Sequence, residues 1–215
     1  MEFASAYKSA RLQYRAMEDN EEDRKFIHEN IQTDPTTLAL SCGIINPQKK
    51  SDTEKLIKII TENTIVCVII SLPQPPKEPT TPISVHANFS TEGSKDGDDI
   101  KDSIIKPEPI GFVHVRKSHS GNAQLGIALV EKYQGKGYGP EAINWAVDHT
   151  FNYTQHHRVE IQCLDFNVFA QKAYERLGFV EEGRMRECAF FKRKWHDIIM
   201  FSMLESDWMK LRGLE

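Results

Sequence analysis

"ALVEKYQGKGYGPEAINWAV", residues 128–147, places three glycines in five positions: Gly135, Gly137 and Gly139. An apolar run at 124–130 precedes them. A helical pattern over about 139–152 follows, with Pro140 near its first position. Each glycine makes the backbone costlier to order, so three at one junction need a reason. The junction is either a tight turn or a stretch of bare backbone against which an anion lies. The first N–H groups of a helix have no intrahelical partner, and with the helix dipole they form an anion site that glycine opens to a phosphate. Proline at this place removes a donor that the helix does not use. No Lys-Ser/Thr follows the last glycine, which excludes a Walker A loop, and the spacing is not G-x-G-x-x-G. Local physics leaves the turn and the anion cradle both open.

Downstream, "RVEIQCL" (158–164) reads as a strand, about 168–177 as a helix, and 180–191 and 195–204 as two strands. Upstream, "IGFVHVRKS" (110–118) is a strand that turns through "HSGNA" into 124–130. Strand, helix, strand, helix, strand in this order implies at least one parallel pair. Nearer the N-terminus, "ARLQYRAM" (10–17) alternates like a strand. "EDNEEDRKFIHENI" follows as a helix with Asp19 or Asn20 as its cap and an acidic first turn. A short helix over about 52–61 carries Leu56, Ile59 and Ile60 on one face, and "TIVCVII" (64–70) has the length of a buried strand. Residues 71–109 change character, with many prolines and the run "EGSKDGDD". That composition reads as a loop or partly disordered insertion in one domain spanning 1–215, with "ISVHANF" (83–89) pairing at a sheet edge.

The chain of 215 residues carries 27 Lys and Arg against 31 Asp and Glu, a net charge of -4 that argues against general nucleic-acid binding. No apolar stretch approaches the roughly 20 residues of a membrane span, and the start lacks the apolar core of a secretory signal. Cys42, Cys67, Cys163 and Cys188 form no C-x-x-C pair. Free thiols in a cytoplasmic protein are the expectation.

Three motifs stand in order along the second half. Gln134-Gly-Lys-Gly-Tyr-Gly139 fits Q/R-x-x-G-x-G/A between a strand and a helix. Asn167, Tyr174 and Leu177-Gly178-Phe179 fit N-x6-Y-x-x-LGF. Glu182-Gly183-Arg184-Met185-Arg186, followed by Trp195-His196-Asp197, makes the third. Over about 110–208, and less clearly at "SARLQYRAMEDNEED", the chain resembles the GNAT N-acetyltransferase superfamily. Within it the chain is similar to the Rim-type branch, which acetylates ribosomal-protein N-termini; related branches act on spermidine or antibiotics.

The resemblance implies an α+β fold in α/β/α layers. Its central sheet is mixed and mostly antiparallel, with about seven strands and one parallel pair splayed apart. That pair is 124–130 with 158–164, and acetyl-CoA, as co-substrate, lies in the opening. The backbone of Ile127, Leu129 and Val130 is implied to pair with the pantetheine arm, since unpaired strand edges seek partners. The pyrophosphate is implied to rest on the amides of Gln134, Gly135, Lys136, Gly137, Tyr138 and Gly139. The Lys136 ammonium either adds charge there or is simply solvated. Asn167 caps the next helix, contacts the cofactor arm, or does both. Tyr174 takes the position of the acid, although its spacing with Ala170, Ala173 and Leu177 also suits a core tyrosine.

The implied reaction moves an acetyl group from the thioester to a primary amine, of a protein N-terminus or a small molecule. It proceeds by direct attack through a tetrahedral intermediate. The amine arrives protonated, with a pKa of about 10.4 for lysine or about 7.7–8.0 for an α-amine, and must lose a proton first. The oxyanion needs a donor, expected at the Leu129 or Val130 N–H, and the leaving thiolate needs a proton. Glu160, Glu187 and His114 are candidate bases, beside a water chain that uses no single one. No metal is implied. Arg186 and Asp197 are expected to pair across the final hairpin. There Lys192, Arg193 and Lys194 replace the Asn-Gly turn common in Rim-type sequences, as a solubilising tip or as a contact to an acidic macromolecule. A non-catalytic acyl-CoA-binding or interaction module that keeps the fold is the alternative.

Overall fold

A computed structural model describes residues 6–41, 45–62, 64–73, 106–119 and 121–214. The first strand, β1 (Gln13–Ala16), leads into α1 (Glu21–Ile27), which widens through a π-turn at His28–Gln32. The helices α2 (Pro35–Leu40) and α3 (Lys50–Glu62) follow, then β2 (Thr64–Leu72), β3 (Glu108–Lys117) and β4 (Asn122–Leu129). The second half alternates α4 (Tyr138–Tyr153), β5 (Arg158–Leu164) and α5 (Val168–Leu177). It closes with the hairpin β6 (Val180–Phe191) and β7 (Lys194–Leu204), then α6 (Glu205–Arg212).

The strands form one sheet in the order β1-β2-β3-β4-β5-β7-β6. Every neighbouring pair is antiparallel except β4 and β5, which run parallel. Alternation of the strand side chains divides the core between the two faces. On one face Val113, Val115, Leu125, Val159, Ile161 and Phe201 pack with Ala142, Ile143, Ala146 and Val147 of α4, and Trp208 of α6 joins them. On the other, Ile69, Phe112 and Ala128 meet Ile27 of α1 and Ile57 and Ile60 of α3. The result is the expected α/β/α layering.

Local chemistry sets the element boundaries. Asn20 caps α1 by accepting from the Asp23 N–H at 2.8 Å, the second of the two cap candidates. Gly178, at φ 94°, ends α5 in the left-handed conformation that glycine adopts without strain. The strand expected over 10–17 is shorter, because the chain before Gln13 folds back and the Ser9 N–H donates to the Leu12 carbonyl. The helix after the glycines starts at Tyr138, which puts Pro140 in its third position. Two helices went unanticipated. In α2, Asp34 caps Thr37 and Pro35 opens the helix, but six residues show little periodicity. In α6 only Trp208 is buried. The flanks of the expected 71–109 insertion belong to β2 and β3, while residues 74–105, with the strand expected at 83–89, lie outside the described residues.

Candidate active site

The parallel pair is short. Asn122, Ala123 and Gln124 lie beside Arg158, Val159 and Glu160, and no register pair joins β4 to β5 beyond them. β4 continues to Leu129 against β3, and β5 continues to Leu164 against β7. The two strands therefore separate, and beyond Gln124 and Glu160 no ladder pairs their facing edges among the described residues. The Val130 N–H donates to the Ile110 carbonyl at 2.9 Å, on the β3 side. Backbone groups alternate sides along a strand, so the N–H groups of Ile127 and Leu129 face the opening. Of the two oxyanion donors expected, the Val130 N–H is thus engaged elsewhere.

At the end of this opening lies the glycine loop. Gly135 and Gly137 have φ of 70° and 81°, where an L side chain is strained. A β-carbon on Gly135 would meet nothing within 4 Å among the described residues, so the loop presents bare backbone to open space. Pro140 has no N–H, and the Glu141 N–H closes the first helical bond to the Gly137 carbonyl at 3.3 Å. The Tyr138 and Gly139 N–H groups precede that bond and have no intrahelical acceptor. The Gln134 side chain holds the loop against the strand by donating to the Leu129 carbonyl at 2.9 Å. The Thr37 hydroxyl reaches the same carbonyl at 3.4 Å. The Lys136 ammonium lies over the Tyr133 ring, 5.5 Å from its centroid. Bare donors, a helix N-terminus and two glycines at positive φ that keep side chains off the backbone suit a phosphate-bearing group.

The acid and base candidates lie in different places. Tyr174 is buried on α5, its ring edge-on to Phe201 at 5.5 Å. Asn167 caps α5, its side-chain oxygen accepting from the Ala170 N–H at 3.2 Å. Glu160 sits at the joined end of the strand pair, accepting from Arg158 Nε at 3.0 Å and Asn122 Nδ2 at 3.2 Å. Arg158 also forks onto Glu182, and this pairing raises the guanidinium pKa above its ordinary value. Glu187 lies on β6 at φ 50°, inside an irregular stretch between Met185 and Ala189. It lines an open recess with Arg186 and Asp197. The expected Arg186–Asp197 pair is absent among the described residues. Asp197 instead accepts the Glu187 N–H at 2.9 Å, because the irregular stretch turns that N–H across the hairpin. His114 is half-buried on β3, with its Nδ1 enclosed and lacking a hydrogen-bond partner among the described residues.

Two groupings escape a reading by sequence alone. His196 and Asp165 meet at 2.8 Å, joining β7 to the end of β5. Burial opposes the charge on Asp165, but the Asp197 N–H and His196 outweigh it and hold the carboxyl below its ordinary range. Arg11 and Glu141, 130 residues apart, meet at 2.7 Å beside the glycine loop. The only local signal for the second grouping is an acidic residue in the first turn of a helix, which has an ordinary role there. Among the described residues, no group of three or more His, Cys, Asp or Glu side chains is placed to hold a metal ion. No helix among them is long and apolar enough to cross a membrane.

A sheet with one splayed parallel pair and a glycine loop at its open end defines a class of protein. The acetyltransferase (GNAT) domain family matches residues 11–180, and the chain belongs to it. Among individual relatives, spermidine N(1)-acetyltransferase of Vibrio cholerae is 31% identical over 106 residues, 49% of this chain and 58% of that protein. The ribosomal protein uS5-alanine N-acetyltransferase of Escherichia coli is 31% identical over 98 residues, 45% of this chain and 50% of that protein. The chain spans about half the length of the curated relatives it matches. The crystal structure of spermidine N-acetyltransferase from Vibrio cholerae in complex with CoA and spermine superposes with a TM-score of 0.69 at 22% identity. That match covers 94% of this chain and 99% of the other.

Proposed function

We propose that this chain is an acetyl-CoA-dependent N-acetyltransferase acting on a primary amine, of a protein N-terminus or a small molecule. The observation that carries this reading is the conjunction of the splayed β4–β5 pair with the bare loop at its open end. Bound acetyl-CoA supplies an activated thioester. The residues do the rest. The Gly135, Gly137 and Gly139 amides, with those of Gln134, Lys136 and Tyr138, take the pyrophosphate. The open edge of β4 at Ile127 and Leu129 orients the arm, with Val130 at its end and Asn167 at the start of α5 beside it. The Leu129 N–H is the donor for the oxyanion, and a fixed backbone donor needs no reorganisation as charge develops. Tyr174 is the acid for the departing thiolate. Glu187 is the favoured base, because it lines an open recess, while Glu160 is held in ion pairs.

The relatives acetylate amines of two kinds, a polyamine and a protein alanine, and both support a primary amine as acceptor. We read residues 1–215 as a single domain with an insertion between β2 and β3, and the cytoplasm as its location, in keeping with the thiols of Cys67 and Cys188. Calorimetric titration of acetyl-CoA into the native protein and into Gly137→Val tests the reading. Saturable binding to the native protein, weakened at least about 10-fold in the variant, is expected, because a β-branched residue is strained at positive φ. Equal binding by both would remove the loop from the site, and no binding by the native protein would overturn the cofactor.

A further inference from the structure

The chain ahead of β1 crosses the start of α4, and three of its groups converge on one carboxylate. Glu141 accepts the Ser9 hydroxyl, the Arg11 N–H and the Arg11 Nε, each at 2.7 Å. The Ser9 hydroxyl is also 2.9 Å from the Tyr14 hydroxyl, whose ring stacks on Trp145 of α4 at 3.9 Å. The Trp145 indole N–H in turn donates to the Ala6 carbonyl at 3.0 Å. Both the backbone and the inner nitrogen of Arg11 are therefore fixed by the helix whose N-terminus faces the loop.

The outer part of the guanidinium projects over the glycines. Nη1 donates to the Lys136 carbonyl at 3.1 Å, and the group lies 4.7 Å from the centroid of the Tyr138 ring. Nη2 stands 3.2 Å from where a β-carbon on Gly137 would be, and no hydrogen bond occupies it among the described residues. The side chain is 49% exposed, so its free edge is open to a ligand. Charge points the same way. Glu141 places a carboxylate in the first turn of α4, where it would repel a bound phosphate, and Arg11 neutralises it. Lys136, the cation offered by the loop itself, is turned onto Tyr133.

We propose that Arg11 is a cofactor-binding residue whose Nη2 donates to the pyrophosphate lying on the glycine loop. The phosphate site is then completed by the segment before the first strand. This rests on the acetyl-CoA reading above. A guanidinium already held by a carboxylate, a carbonyl and an aromatic face loses little further freedom on binding, and its fork matches phosphate oxygens.

The test is the dissociation constant of CoA over a series of NaCl concentrations for the native protein, Arg11→Gln and Arg11→Lys. A lost charge-assisted hydrogen bond predicts about 10- to 100-fold weaker binding in Arg11→Gln. The salt dependence should also be shallower, because one screened attraction is gone. Arg11→Lys keeps the charge without the fork, so it should lose less affinity and keep the native salt dependence. Native affinity in Arg11→Gln would overturn the proposal. So would an equal loss in both variants with unaltered salt dependence, the mark of a residue that only shapes the loop. A native protein that binds no CoA would overturn the parent reading, and this one with it.

Discussion

His114 lies over Gly126, where a β-carbon would come within 2.4 Å of its Cε1. The missing side chain on β4 makes the space into which the imidazole packs, half-buried. Burial, with Arg116 adding repulsion, pushes the His114 pKa down from an ordinary value near 6.5 to about 4. The imidazole is therefore neutral at neutral pH, and its value as a base is low. The unfolded chain binds the proton more readily than the folded one, so stability is complete above about pH 6.5 and declines as pH falls toward 4. Between about pH 7 and pH 5 this group alone costs about 2 kcal/mol, and burial of His149 and His156 acts in the same direction. Urea unfolding at the two pH values should show the native protein losing more stability than His114→Gln. Identical losses would remove His114 as the cause. The burial was not legible in the sequence, because it depends on which residue of β4 lies opposite residue 114. The glycine loop was legible, since its three glycines and the helix after them are contiguous.

The hairpin of β6 and β7 shows a different limit. Phe191 pairs with Lys194, so Lys192 and Arg193 form a two-residue turn with φ of 47° and 64°. Two positive φ angles are the geometry that Asn-Gly adopts readily, so the turn shape is kept where the usual residues are replaced. Lys192→Asn with Arg193→Gly should stabilise the fold by about 1 kcal/mol, raising the thermal midpoint by about 2–4 °C. A lower midpoint would mean that the basic pair contributes contacts beyond the turn. The spans 158–164, 168–177 and 180–191 coincide with β5, α5 and β6, because their apolar periodicity is local and Asn167 and Gly178 mark both ends of the helix. What stayed hidden was how elements meet: the Arg158 bridge to Glu160 and Glu182, the contact of His196 with Asp165, and the return of Arg11 to α4. These pairings are set by tertiary placement, and nothing in the spacing of the residues announces them.

At the scale of the whole molecule, the mixed sheet and its parallel pair were implied by the order of strands and helices, while the extent of the pairing was not. Three register pairs connect β1–β4 to the trio of β5, β7 and β6. The helix layer of α4 and α5 bridges the two groups on one face, and the Arg158 bridge ties the joined end. The sheet is therefore two rafts sharing a seam, and a ligand lying between the strands would lengthen that seam as a temporary rung. Amide hydrogen exchange should locate it. In the free protein, Ile127 and Leu129 should exchange far faster than Val113 and Val115, which lie between two strands. With CoA at about 100 times its dissociation constant, a gain of about 2.7 kcal/mol predicts roughly 100-fold slower exchange wherever opening requires the ligand to leave. If protection rose only at the loop, the rafts would be shown to hold together without their guest. If it rose on both banks of the seam, substrate binding would be a step in the folding of the sheet itself.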